Sequence, residues 1–236
     1  MTDARTLLWS ARAVLLDFDG PVTPLMPAPL NMQTAGAARA ALARHGIEPD
    51  ELRETSDHLA IIRWAGAHAP DALPDVEATC IAAEVEAART SRPTAGAHEL
   101  IAALDHTGVP VVIVTNNAAR AARTYLDRFD LAGRVRGIVG RPERRPDLMK
   151  PNTRMVEEAL RDTGIMTAEV VLIGDAVSDV EVAHAAGARA IGFAKNPRRG
   201  DELRLAGADA LAETISALLP AALGPKTGNS DHPQVG

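Results

Sequence analysis

The residues best equipped for chemistry stand where apolar runs stop. The run Ala13 to Leu16 ends on Asp17, with Asp19, Gly20 and Pro21 just beyond it. The run Val109 to Val114 ends on Thr115, Asn116 and Asn117. The run Val170 to Ile173 passes through Gly174 to Asp175, with Asp179 four residues on, and Lys150 precedes Pro151 between these last two runs. Carboxylates gathered at buried ends raise one another's pKa and destabilise a fold unless positive charge joins them. A divalent cation provides it: Asp17 and Asp175 are hard oxygen ligands of the kind Mg2+ takes while keeping several waters. A cation beside carboxylates, a lysine and free turn N–H groups suits a phosphate dianion. In such a site Asp17 could attack phosphorus and form an aspartyl-phosphate. Asp19 could protonate the leaving oxygen and then deprotonate a water. Gly20 would give the tight turn that folds Asp19 back. Thr115 and Lys150 would hold phosphoryl oxygens, with Lys150 also offsetting the charge on Asp17. Asp179 would orient Lys150 or a metal-bound water. Asn116 would bind the phosphate or satisfy its turn, and Asn117 would cap a helix starting near Ala118.

These positions need a scaffold that brings strand ends together. Besides the runs above, Val135 to Val139 and Ala188 to Phe193 are apolar, and helical stretches flank them at 97–105, 118–128, 153–162 and 177–186. Short buried runs alternating with helices predict an α/β fold, a Rossmann-like parallel sheet with helices on both faces. Ligands of such sheets bind outside the carboxyl ends of the strands, where the polar residues fall. Residues 26–92 break the alternation: they hold helix-like segments at 34–45, 50–68 and 75–90 between proline-marked borders. The expected organisation is a core of residues 1–25 and 93–223, a helical cap at 26–92, and a polar, disordered tail at 224–236.

Composition narrows the function. The 236 residues are 46% hydrophobic but only 3% aromatic, so the core must be aliphatic. A net charge of −6 argues against a general nucleic-acid binder and against a membrane surface. No apolar run is long enough to span a bilayer, and the start of the chain lacks a signal-like pattern. Cys80 is the single cysteine, which excludes an internal disulfide and fits a reducing cytoplasm. There is no P-loop and no dinucleotide fingerprint, and the seven histidines lack metal-binding spacing. In the cap, Arg63 could reach a substrate anion and Trp64 line its pocket, although a helical aromatic more often fills a core. The basic run Arg141 to Arg145 reads as a solvated loop near Lys150 or as an extension of the site toward a more acidic substrate.

Four of these stretches, in order, resemble the motifs of the haloacid dehalogenase superfamily: DFDGPV from Asp17, VIVTNN ending at Asn117, Lys150 in LMKPN, and GDAVSD from Gly174 to Asp179. Pro21 stands where the first motif usually has Thr or Val. The resemblance implies a Rossmann-like core, Mg2+ held by Asp17, the Asp19 backbone carbonyl and Asp175, and an aspartyl-phosphate intermediate. The gap between the first two motifs looks like a C1 helical cap, as in phosphoglycolate-phosphatase-like members. Dehalogenases lack the second aspartate that Asp19 provides, and phosphonatases use a cap lysine, whereas residues 26–92 contain none. The expected activity is Mg2+-dependent hydrolysis of a small phosphorylated metabolite. A phosphotransferase of the beta-phosphoglucomutase type and a non-catalytic binding module are the alternatives.

Overall fold

In the computed structural model, residues 3–161 and 163–220 are described. Six parallel strands form one sheet: β1 (Ala13–Leu16), β2 (Val111–Val114), β3 (Gly137–Val139), β4 (Val170–Gly174), β5 (Arg189–Phe193) and β6 (Ala210–Ala212), in the order β3-β2-β1-β4-β5-β6. Strands β1, β2 and β4 are buried along their whole length, so each needs a continuous apolar run rather than alternation. The chain winds from β1 outward to β3, then crosses to β4 and winds the other way. The reversal leaves a crevice at the carboxyl ends of β1 and β4, the place where ligands of open parallel sheets bind.

Helices α1 (Ala4–Trp9), α5 (Ala97–His106), α6 (Ala119–Arg128), α7 (Arg154–Leu160), α8 (Val177–Ala185) and α9 (Pro197–Leu205) belong to this sheet unit. Two hydrophobic clusters form about the sheet. One gathers Val14, Leu16, Phe18 and Tyr125, and the other Leu15, Val112, Leu172 and Val180. The alternation of β1 residues between the two clusters is the period-two pattern of a strand.

Between β1 and α5 lie α2 (Leu30–Ala43), α3 (His58–His68) and α4 (Leu73–Thr90). They share a third cluster built from Ala35, Leu42, Ile61, Ile62, Val76 and Cys80. Burial pushes the Cys80 thiol up to about 12, so this cysteine packs as a small apolar residue. The far end of α4 leaves this cluster: Ala87 and Ala88 pack with the sheet. The returning chain is stitched to the departing one. Thr23 donates its hydroxyl to the Arg92 carbonyl at 2.7 Å, and Thr94 donates its hydroxyl to the Gly20 carbonyl at 2.6 Å.

Several sequence expectations need correction. The segment 50–68 is not one helix: a short turn at Asp50–Leu52 precedes α3. Thr55 and Asp57 divert the backbone, since Thr55 Oγ1 accepts the Asp57 N–H and Asp57 accepts the Leu59 N–H as an N-cap. Helix α2 starts at Leu30, earlier than expected, and α1, α9 and β6 add elements that were not anticipated. Strand β6 reads only as Ala-Leu-Ala, with no β-branched residue to mark it. The tail 224–236 lies outside the described residues. Among those described, no helix is long and apolar enough to cross a membrane.

Gly140, just past β3, lies against the start of α6: a Cβ there would overlap the backbone N of Ala119. Gly140→Ala is therefore expected to cost about 1–3 kcal/mol, the usual range for overpacking. Urea unfolding would show this as a lower midpoint with an unchanged slope.

Candidate active site

The strand geometry of the DFD triplet sorts its side chains. Phe18 is fully buried and meets Tyr125 edge-on at 5.4 Å between ring centroids. Asp17 and Asp19, on the other side of the chain, line one cavity together with Thr115, Asn116, Lys150, Asp175 and Asp179. The strand ends meet directly, since the Asp17 N–H donates to the Ile173 carbonyl of β4 at 2.9 Å. Gly20 takes φ +109°, and a Cβ there would come within 2.6 Å of the Asp175 carboxylate. The turn therefore excludes any side chain.

Lys150 is only 2% exposed. Its ammonium donates to Asp17 Oδ1 at 2.8 Å, to Asp179 Oδ1 at 2.6 Å and to the Val114 carbonyl at 2.9 Å. All three of its protons are used, as a buried ammonium requires. Burial alone would lower its pKa, but Asp17 and Asp179 outweigh that and hold it above the ordinary lysine value. Burial raises the Asp17 carboxyl well above the usual range, and the nearby Asp179 and Asp175 add to this while Lys150 opposes it. Asp19 is raised to about 6, chiefly by burial, even though its Oδ1 accepts the Leu25 N–H at 2.8 Å. A carboxyl in that range can give and take a proton near neutrality.

The donor set fits a hard divalent cation. Carboxylate oxygens of Asp17, Asp175 and Asp179 lie within 4.8 Å of one another. Both oxygens of Asp179 are already engaged, Oδ1 by Lys150 and Oδ2 by the Ala176 N–H at 3.0 Å. Asp17 and Asp175 each keep one oxygen clear of their lysine partners. The bridge between Asp19 and Thr23 uses the Phe18 carbonyl and the Gly20 N–H, which leaves the Asp19 carbonyl for another partner. Two carboxylate oxygens and a carbonyl, with room for water, match the preferences of Mg2+.

Other residues sit differently from expectation. Asn116 lines the cavity, and its carboxamide is engaged with the Lys150 main chain. Its Oδ1 accepts the Lys150 N–H at 2.8 Å and its Nδ2 donates to the Lys150 carbonyl at 3.2 Å. Asn117 does not cap α6. Its N–H donates to Thr115 Oγ1, and the Thr115 hydroxyl donates to Asn117 Oδ1 at 3.2 Å. That hydroxyl must rotate to meet a phosphoryl oxygen. Arg63 lines the cavity and donates to the Lys150 carbonyl at 3.2 Å. Trp64 turns away to Glu51 and stacks on His68. Arg141 is not solvated: it is buried and pairs with Glu84 at 2.9 Å. Lys195, after β5, was not singled out, yet its ammonium meets Asp175 Oδ2 at 2.6 Å. Its position just past an apolar run was the available signal.

A parallel sheet with acidic strand ends and a helical insertion beside them defines a Rossmann-like hydrolase fold carrying a cap. Over residues 48–193 the chain matches the family model described as haloacid dehalogenase-like hydrolase, and it belongs to that family. It is 30% identical to an N-acetylmuramic acid 6-phosphate phosphatase of Pseudomonas aeruginosa, over 75% of this chain and 79% of that one. It is 25% identical to a phosphoglycolate phosphatase of Pectobacterium atrosepticum, over 58% of this chain and 57% of that one. The match thus spans little more than half of the second relative's length. A hydrolase structure from Pseudomonas syringae shares the fold, with a TM-score of 0.66, 21% identity, and coverage of 87% of this chain and 95% of that one.

Lys150→Met should leave Asp17 and Asp179 buried without their cation, at a cost of about 3–5 kcal/mol near neutral pH. The Asp17 carboxyl, already raised by burial, then lacks the ammonium that opposes this, so the penalty is full at alkaline pH and fades as acid neutralises it. Melting curves across pH should show the gap to the parent narrowing on acidification.

Proposed function

We propose that the protein is a Mg2+-dependent phosphatase of small phosphomonoesters, working through an aspartyl-phosphate on Asp17. The observation that carries this reading is the placing of Asp17 and Asp19 on one cavity wall, with the Lys150 ammonium locked between Asp17 and Asp179. Mg2+, held by Asp17, Asp175 and the Asp19 carbonyl, would supply positive charge that keeps Asp17 ionised and draws charge from the phosphoryl oxygens.

The side chains divide the remaining work. The free oxygen of Asp17 attacks phosphorus, and the bond from phosphorus to the ester oxygen breaks. Asp19 gives its proton to that leaving oxygen, then takes a proton from the water that attacks phosphorus. The second attack breaks the bond to Asp17 and releases orthophosphate. Lys150 and Thr115 hold phosphoryl oxygens, and Asp179 holds Lys150. Asn116 acts by fixing the Lys150 main chain.

The cavity measures about 380 Å³, which suits a small molecule rather than a polymer. Residues 26–92 serve as the cap that closes it and excludes water. Arg63 is the cap cation that would meet the leaving group. The activities named for the sequence relatives support a phosphorylated small acid or sugar derivative as the substrate class. We assign the protein to the cytoplasm on the same reading.

The test is orthophosphate release from a panel of phosphorylated metabolites, with Mg2+ and with EDTA. Release that requires Mg2+ and vanishes in Asp17→Asn is expected, with Asp19→Asn lowering kcat by about 10²–10⁴-fold, the usual worth of a general acid–base group. Isomerisation without release would replace the reading with a phosphotransferase. Mg2+ binding without any turnover would replace it with a binding module.

A further inference from the structure

Glu84 of α4 is fully buried, and three separate parts of the chain converge on its carboxylate. His58 Nε2, at the start of α3, lies 3.0 Å from Oε1. The Ala118 N–H, in the loop after β2, donates to Oε2 at 2.8 Å. Arg141, in the loop after β3, donates Nη1 to Oε1 at 2.9 Å and Nη2 to Oε2 at 3.4 Å. Buried Arg141 also donates Nη1 to the Asn116 carbonyl at 2.8 Å. Asn116 in turn clasps Lys150 on both sides of its main chain. One unbroken path of polar contacts therefore runs from the wall helix α3, through Glu84 and Arg141, to the lysine between Asp17 and Asp179.

Burying so much charge is costly, and a well-packed apolar group would hold two helices as firmly. An apolar group could not hold the main chain of residues 115–118. Ala118 is the N-cap of α6 and has no side chain able to cap it. Glu84 accepts its N–H, the task that a capping-box glutamate performs from within its own helix. Helix α4 also spans both units: Val76 and Cys80 pack in the helical cluster, and Ala87 and Ala88 pack with the sheet. Glu84 sits between them, at the crossing.

We propose that Glu84 is a positioning residue that couples helix α3 to the two loops holding Thr115 and Lys150. Movement of α3 at the cavity wall is thereby transmitted to the groups that bind the phosphoryl oxygens. Two separable effects follow. Cutting the His58 link frees α3 alone and acts on substrate binding. Removing the Glu84–Arg141 pair frees the loops and acts on the chemical step.

This inference rests on the reading of the cavity as a phosphate-processing site, so its test uses two probes: turnover of p-nitrophenyl phosphate, and calorimetric binding of inorganic phosphate. Glu84→Met/Arg141→Met replaces the pair with apolar groups of similar length, the kind of exchange that folds tolerate. It should still fold but melt below the parent, because the Ala118 N–H, the Asn116 carbonyl and His58 lose their partners, with kcat lower by about tenfold or more and phosphate binding weakened several-fold. His58→Leu should raise KM several-fold with kcat within about twofold of the parent. A folded double variant with unchanged kcat and unchanged phosphate affinity would overturn the proposal. If the double variant does not fold, Glu84→Gln decides: it keeps an acceptor for Ala118 but removes the charge facing Arg141, and parental kcat and phosphate affinity there would also overturn it. Should the parent turn over no ester yet bind phosphate, the phosphatase reading fails while the phosphate affinities of the variants still decide the role of Glu84.

Discussion

The rest of the structure depends on a buried ammonium. Lys150 carries a full charge into the interior, where an unpaired cation would be prohibitively costly. It is tolerated because Asp17 closes β1, Val114 ends β2 and Asp179 opens α8, each offering an oxygen to one of its protons. The lysine thus bonds three elements at one point. Its main chain is held as tightly, by Asn116 on one wall and Arg63 on the other. Carboxylates and ammonium each make the other's burial possible.

Charge balance explains the remainder of the cavity. One lysine cannot neutralise Asp17, Asp175 and Asp179 together, and the neighbouring carboxylates add to the burial that chiefly pushes Asp17 and Asp19 upward in pKa. Lys195 answers Asp175 from the loop after β5. The excess of carboxylate oxygens makes the edge suitable for a hard cation. The same excess would be a defect in a site meant only for structure, because packing alone would select apolar residues there.

The helical unit joins the sheet through the apolar end of α4, where Ala87 and Ala88 pack with the sheet, and through polar bonds near the site. Its hydrophobic cluster is separate, and contact with the site runs through Arg63, His58 and Glu84. Directional bonds to loop main chain hold the loops in register while leaving the cavity open to solvent at its rim.

Much of this was legible in the chain itself. Continuous apolar runs marked the central strands because burial on both faces leaves no position for a polar residue. The residue types at their carboxyl ends marked the cavity edge, since spacing of two along a strand returns Asp17 and Asp19 to one side. Asp175, Asp179 and Lys150 followed from the same reading, and the three-residue edge strand β6 did not, having too little apolar length to register. What tertiary structure alone decided is who pairs with whom. Asn116 read equally as a phosphate ligand or a turn residue, and only the fold sets both ends of its carboxamide against the Lys150 main chain, while Arg141 looked solvated until Glu84, 57 residues away in sequence, was found against it. Local sequence carries burial and turn preference, because these depend on neighbouring residues. It does not carry the partner of a long polar side chain, because that partner is chosen by the distance between elements after the chain has folded.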